Sequence, residues 1–150
     1  MDVLLIGCGN EYRSDDGAGL LVARLAKEMG SEHVAVRESL GEGAALLDAW
    51  KGAETVILID AVCSGSEAGT IYRVEAHRER LPAELFHCST HAFGVAEAIE
   101  LARALNRLPA RLIVYGIEGK SFAAGIGLSP EVSEAARRVA DSVLNDLSRR

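Results

Sequence analysis

Two adjacent carboxylates, Asp15 and Asp16, stand in the stretch "GCGNEYRSDDGAG" at residues 7–19, directly behind the apolar run "VLLI". A glycine turn after a first strand usually prepares a phosphate site, because backbone N–H groups and a helix N-terminus favour an anion. Here the turn has G-x-G without the third glycine of the dinucleotide pattern, and a phosphate would face two like charges. The stretch therefore argues against a nucleotide. The bland alternative is that the pair caps a helix and complements its dipole, for about 1 kcal/mol. A pair is more than capping needs, so at least one member is a candidate for chemistry.

Two further residues share that candidacy. Asp60 ends the apolar run "TVILID", where a carboxylate must reach a cleft, accept backbone N–H bonds or bind a cation. His91 is expected to open the helix that begins near "CSTHAFG". Ligands of open α/β sheets collect beyond the carboxyl ends of the strands, so one of the acidic pair, Asp60 and His91 can meet on one rim. Two carboxylate oxygens and one imidazole nitrogen suit Zn, Ni, Mn or Fe and leave positions open for water or substrate. A rival, softer cluster is "HCSTH", with His87, Cys88 and His91, although His87 and Cys88 are adjacent and point different ways in an extended loop. Covalent catalysis is less well supported. No G-x-S-x-G is present, and Cys8 inside the first turn reads as a packed thiol. Hydrolysis by an activated water fits the acidic set better.

Such a rim needs a sheet to carry it. Five β-rich runs, at 3–7, 33–38, 55–60, 69–75 and 110–118, alternate with helical periods. Leu21, Leu25 and Met29 mark one helix, and Val95, Ile99, Ala102 and Leu105 another. In the last helix Ser129 is placed to cap, Pro130 suits the first position, and an unbroken apolar stripe runs from Val132 to Leu147. "TVILID" shows no alternation, which implies a strand buried on both faces of a parallel sheet. The connection from that run to "GTIYRVE" is too short for a crossover helix, so the fourth strand should pair antiparallel or leave the sheet. The expected class is α/β, a doubly wound single domain over 1–150.

Composition narrows the partners. A net charge of -6 argues against nucleic acid, which is bound through clustered Lys and Arg. No apolar run approaches the roughly 20 residues that span a bilayer. Three scattered cysteines, Cys8, Cys63 and Cys88, without a targeting segment, point to reduced thiols in the cytoplasm, with disulfides not expected.

"LLIGCGNEYRSDDGAG" resembles the N-terminal signature of the hydrogenase maturation endopeptidases. "VILIDAVCSGSEAGTI", "STH" at 89–91, and "VYGIEG" with "GLSPEV" resemble that family's later blocks, in order and over nearly the whole chain. The resemblance implies a three-layer α/β sandwich, phosphorylase/flavodoxin-like, with a mostly parallel twisted sheet, one antiparallel strand and helices on both faces. It implies an endopeptidase that removes the C-terminal extension from the nickel-loaded precursor of a [NiFe] hydrogenase large subunit. Asp16, Asp60 and His91 match the family's metal-binding and catalytic residues, with the nickel supplied by the precursor and other divalent ions able to occupy the site. Many relatives carry a glycine-rich recognition stretch after the second strand. This chain reads "ESLGEG" there, so Glu38, Gly41 and Gly43 are the candidate substrate contacts. Two other readings compete: a nickel-binding chaperone that docks without cutting, and a nucleotide- or flavin-binding module.

Overall fold

The computed structural model describes residues 3–30, 32–82, 84–86 and 90–148. Five strands, β1 (Val3–Cys8), β2 (Val34–Ser39), β3 (Thr55–Val62), β4 (Ile71–Glu75) and β5 (Arg111–Glu118), form one sheet in the order β2-β1-β3-β5-β4. β2, β1, β3 and β5 run parallel, and β4 pairs antiparallel with β5. Among the described residues α1 (Ala18–Met29), α2 (Gly43–Ala49) and α3 (Val95–Ala104) connect strands, and α4 (Pro130–Ser148) follows β5.

This is the expected class, with all five runs realised as strands. The antiparallel β4 answers the short β3–β4 connection and takes the edge beyond β5. α2 carries no strong sequence signal, being seven residues long and capped by a glutamate, an unusual cap. The Glu42 carboxylate accepts from the Ala44 N–H at 2.7 Å and the Ala45 N–H at 3.2 Å.

Each central strand is buried on both faces, and its side chains divide by parity. Leu5, Ile57 and Ile113 face α1 and α4 along with Val22, Val139 and Val143. Leu4, Ile6, Leu58 and Val114 face α2 and α3 along with Leu46, Trp50 and Ile99. Each fully buried aliphatic side chain contributes about 1.5–3 kcal/mol, so the two clusters hold the sheet rigidly beneath its loops. One expectation about the cysteines is corrected: Cys63 is disulfide-bonded, while Cys8 is a free, buried thiol. Spacing along the chain does not show which turns the fold brings together.

β1 lies between β2 and β3, so the chain crosses to opposite sides of β1 after α1 and after α2. The carboxyl ends of β1 and β3 border that reversal. It is the crevice where α/β sheets gather ligands.

Candidate active site

The glycines behind β1 bring the chain closer than any side chain permits. A Cβ on Gly19 would stand 2.4 Å from the carbonyl oxygens of both Cys8 and Ile59, so α1 can settle on β1 and β3 only with glycine there. Gly9 has φ +144°, and a Cβ on it would lie 1.9 Å from the Asp16 carbonyl oxygen. The turn thus closes directly on the acidic pair. The Asn10 N–H, an amide of the kind that would meet a phosphate, donates instead to Asp16 Oδ2 at 2.9 Å. Arg13 Nη1 stands 3.8 Å from the same oxygen.

The neighbouring carboxylates have separate fates. Asp15 is fully buried and accepts from the N–H groups of Lys120 (2.8 Å), Ser121 (2.9 Å) and Ser129 (2.7 Å) and from the Ser129 hydroxyl (2.8 Å). Burial works to raise its pKa, but these four donors outweigh it and hold the carboxyl below its ordinary value. Neither acid caps α1, whose N-cap is Gly17 without a side-chain bond. The Ser129 side chain, expected to cap α4, is occupied by Asp15, although the Ser129 carbonyl does accept from Val132 and Ser133. Asp15 therefore fastens the segment after β5 to the turn after β1.

Asp16, Asp60 and His91 line one cleft, together with Gly9, Leu40, Gly41, Phe86, Thr90 and Phe122 among others. Its enclosed volume is about 20 Å³, the room of one or two waters, so a larger ligand must lie across the mouth. Asp60 sits in β3 opposite Gly116 of β5, two residues short of the strand's end. Its Oδ1 accepts from the Ala61 N–H at 2.9 Å. By surface area Asp60 is partly open to the cleft, yet protein crowds it on every other side. That burial, and then the Asp16 charge, push its carboxyl up to about 8 against the pull of the Ala61 N–H. Burial followed by Asp60 and Asp16 likewise raises the Cys8 thiol, which keeps it protonated and inert as a nucleophile. A carboxyl raised in this way, beside a second carboxylate, is suited to hold a proton or to accept a cation.

His91 lies ahead of α3, with Nε2 2.9 Å from the Leu40 carbonyl oxygen, a bond that orients the ring toward the β2–α2 loop. Among the described residues, no three His, Cys, Asp or Glu side chains stand ready as an ion-holding group in this arrangement. The rival cluster cannot be placed, since His87 and Cys88 lie outside the described residues, as does Ser89 of the "STH" block.

The three candidate substrate contacts separate. Gly41, at φ +88°, belongs to the cleft wall. Glu38 lies in a neighbouring groove, where its oxygens accept from Arg24 Nε and Nη2, both at 3.1 Å. Gly43 opens α2 with Phe93 against it, and a Cβ there would meet the ring at 2.6 Å. Sequence reading did not anticipate the Leu40 carbonyl, the Phe122 wall or the anchoring by Asp15. The only hint of the last was the pairing of acids where one cap would do.

These features define an α/β protein with two carboxylates and a histidine lining one cleft at the switch point of its sheet. Residues 20–146 match the HycI family of hydrogenase maturation proteases. A [NiFe] hydrogenase maturation protease, HybD, from Thermococcus kodakarensis is 30% identical, with 97% of this chain and 98% of that one covered and a TM-score of 0.73. A Methanocaldococcus jannaschii chain, provisionally named a hydrogenase maturation protease, is 29% identical over 159 residues, covering 99% of this chain and 97% of that one. The hydrogenase maturating endopeptidase HybD from E. coli shares the fold at a TM-score of 0.79 with 19% identity, covering 99% of this chain and 93% of that one. The chain belongs to the hydrogenase maturation protease family, and is a peptide hydrolase of hydrogenase processing. Among the described residues no helix is long and apolar enough to cross a membrane.

Proposed function

We propose that this protein removes the C-terminal extension from the nickel-loaded precursor of a [NiFe] hydrogenase large subunit in the cytoplasm, and that the nickel arrives with the substrate. The observation that carries the reading is the meeting of Asp16, Asp60 and His91 on one small cleft, with the two carboxylates electrostatically opposed. Two oxygens and a ring nitrogen are a donor set that nickel accepts. The ion is taken to bring further ligands of its own from the precursor. Side-chain adjustment, including turning His91 from the Leu40 carbonyl, completes the shared coordination.

In this reading the ion is the recognition signal. Only a loaded precursor is held with its scissile peptide across the cleft mouth, where water adds to the carbonyl carbon, the C–N bond breaks and the departing amine takes a proton. Gly41 on the cleft wall and Glu38 in the adjoining groove are the substrate contacts this placement favours. The test is to mix purified protein with precursor, with and without nickel, and weigh the products. A shortened large subunit and a released peptide only with nickel are expected; binding without cleavage would favour the chaperone reading instead.

A further inference from the structure

Glu118, the last residue of β5, is a buried carboxylate at 2% exposure. Neutral donors meet its charge. The Ser64 N–H lies 2.9 Å from its Oε2 and the Ser64 hydroxyl 2.6 Å from its Oε1, with the Tyr72 hydroxyl 2.8 Å from Ser64 Oγ. Burying a carboxylate on neutral donors is disfavoured relative to a well-packed apolar residue, so its place at the end of a strand is explained by what it holds.

Glu118 holds the turn that follows Asp60. Ser64 lies in the β3–β4 connection, just beyond the strand that carries Asp60, and beside it the Gly119 N–H donates to the Val62 carbonyl at 3.0 Å. On its other side the same short segment meets Asp15, whose Oδ2 accepts from the Lys120 and Ser121 N–H groups and whose N–H donates to the Ser121 carbonyl at 2.9 Å. Residues 118–121 are therefore bonded both to the end of β3, with Asp60, and to the turn after β1, with Asp16. The fit is close: a Cβ on Gly119 would stand 3.2 Å from the Asp15 Cβ and 2.6 Å from the Phe122 ring. Val62 and Cys63 on one side of this segment and Phe122 in its continuation line the cleft.

We infer that Glu118 is a positioning residue of the processing reaction: together with Asp15 it makes residues 118–121 a strut that sets the spacing of Asp16 and Asp60. The inference rests on the processing reading above. Sheet pairing fixes β3 against β1, but Asp16 lies beyond β1 in a turn, and the strut ties that turn to β3 and β5. Groups that must meet one ion and one peptide tolerate little displacement, since a shift of about 1 Å can cost about a hundredfold in rate.

Glu118→Ala removes the clamp, and Glu118→Gln rebuilds it, because the amide oxygen accepts from the Ser64 N–H and the NH₂ donates to Ser64 Oγ. In processing of nickel-loaded precursor, Glu118→Ala is expected to lower kcat about thirtyfold or more with Kd for the precursor within about threefold, and Glu118→Gln to keep kcat within about threefold. Ser64→Ala, which loses only the hydroxyl and serves where Glu118→Ala does not fold, should lower kcat about fivefold. Asp146→Ala, destabilised away from the cleft, should keep the wild-type kcat when assayed well below its melting temperature. Combining Glu118→Ala with Asp15→Asn should lower kcat by less than the product of the single factors, since either change frees the strut. A folded Glu118→Ala, or Ser64→Ala in its place, that cuts at the wild-type kcat would overturn the inference, as would an equal loss in Asp146→Ala or a fully multiplicative double variant. A second readout needs no cleavage: the amide resonances of Asn10 and Ala61, whose N–H groups donate to Asp16 and Asp60, should shift in Glu118→Ala and hold their positions in Glu118→Gln and Asp146→Ala. If the wild type binds precursor without cutting it, the processing reading falls, and unmoved Asn10 and Ala61 amides in Glu118→Ala would separately remove the strut.

Discussion

Asp146 and Asp60 are carboxylates set among other polar groups in opposite ways. On α4, Asp146 is buried with a full set of partners: its Oδ1 accepts from Arg73 Nη2 at 2.6 Å, and its Oδ2 accepts from the buried Tyr115 hydroxyl. At the switch point, Asp60 has one N–H, from its own neighbour Ala61, and faces a second carboxylate in Asp16. The first arrangement satisfies its charge and ties β4 and β5 to α4. The second buries a carboxyl with a single donor beside another carboxylate where a cleft opens, which stability alone does not favour, and strongly perturbed groups in clefts are where function concentrates. Asp15, next to Asp16 in sequence, belongs with Asp146: fully bonded and structural.

The largest effect that separates the two kinds of carboxylate is on activity. Asp60→Ala, Asp16→Ala and His91→Ala should each lower processing of nickel-loaded precursor by a factor of about a thousand or more, measured as released peptide, with the protein still folded. For Asp60→Asn the stability should rise by about 1–2 kcal/mol at neutral pH in urea unfolding, because a carboxyl raised by burial and by Asp16 no longer has to be kept from ionising. A fall in stability of that size would erase the distinction.

Next in size is the structural partner. Asp146→Ala leaves the Tyr115 hydroxyl and the Arg73 guanidinium without their acceptor and should cost about 3 kcal/mol in the same measurement. Asp15→Asn is expected to cost about 2 kcal/mol, since an amide NH₂ in place of Oδ2 would point at donors from Lys120, Ser121 and Ser129. Faster amide hydrogen exchange at Ser121 and Ser129 would locate that loss in the 119–129 segment.

The smallest effect is read from pH. Burial first, and the bond to Asp146 second, push the Tyr115 phenol up to about 12. Its folded pKa lies above the unfolded value near 10, so the stability it contributes is complete below pH about 10 and is lost as the pH rises toward 12. Tyr115→Phe should flatten that alkaline decline, by about 1 kcal/mol across the window, as seen in melting temperatures taken from pH 9 to 12. An unaltered slope would remove Tyr115 from the account.

The parts of this molecule legible in its sequence are those set by local pattern. Apolar runs mark β1, β3 and β5, shorter β-rich runs mark β2 and β4, the α4 stripe is explicit, and the short step from β3 to β4 leads to the antiparallel edge. What was hidden depends on contacts distant in sequence. Asp15 and Asp16 are indistinguishable as letters, and only the approach of Lys120, Ser121 and Ser129 makes one an anchor and leaves the other at the cleft. Ser129 carried the signature of a cap, yet a stronger acceptor claimed its hydroxyl. α2 is obscured because "ESLGEG" reads as a glycine turn, whereas in the fold Glu42 caps the helix and Gly43 lies close under Phe93.

The central claim is that Asp16, Asp60 and His91 serve one ion between them. Crystals soaked with nickel or cadmium and measured at the metal's absorption edge test it most directly. The account predicts one anomalous peak in the cleft, within bonding distance of a carboxylate oxygen from each aspartate and a ring nitrogen of His91, the ring having left the Leu40 carbonyl. An ion held by only one of the three, or bound elsewhere with the cleft side chains unmoved, would contradict it.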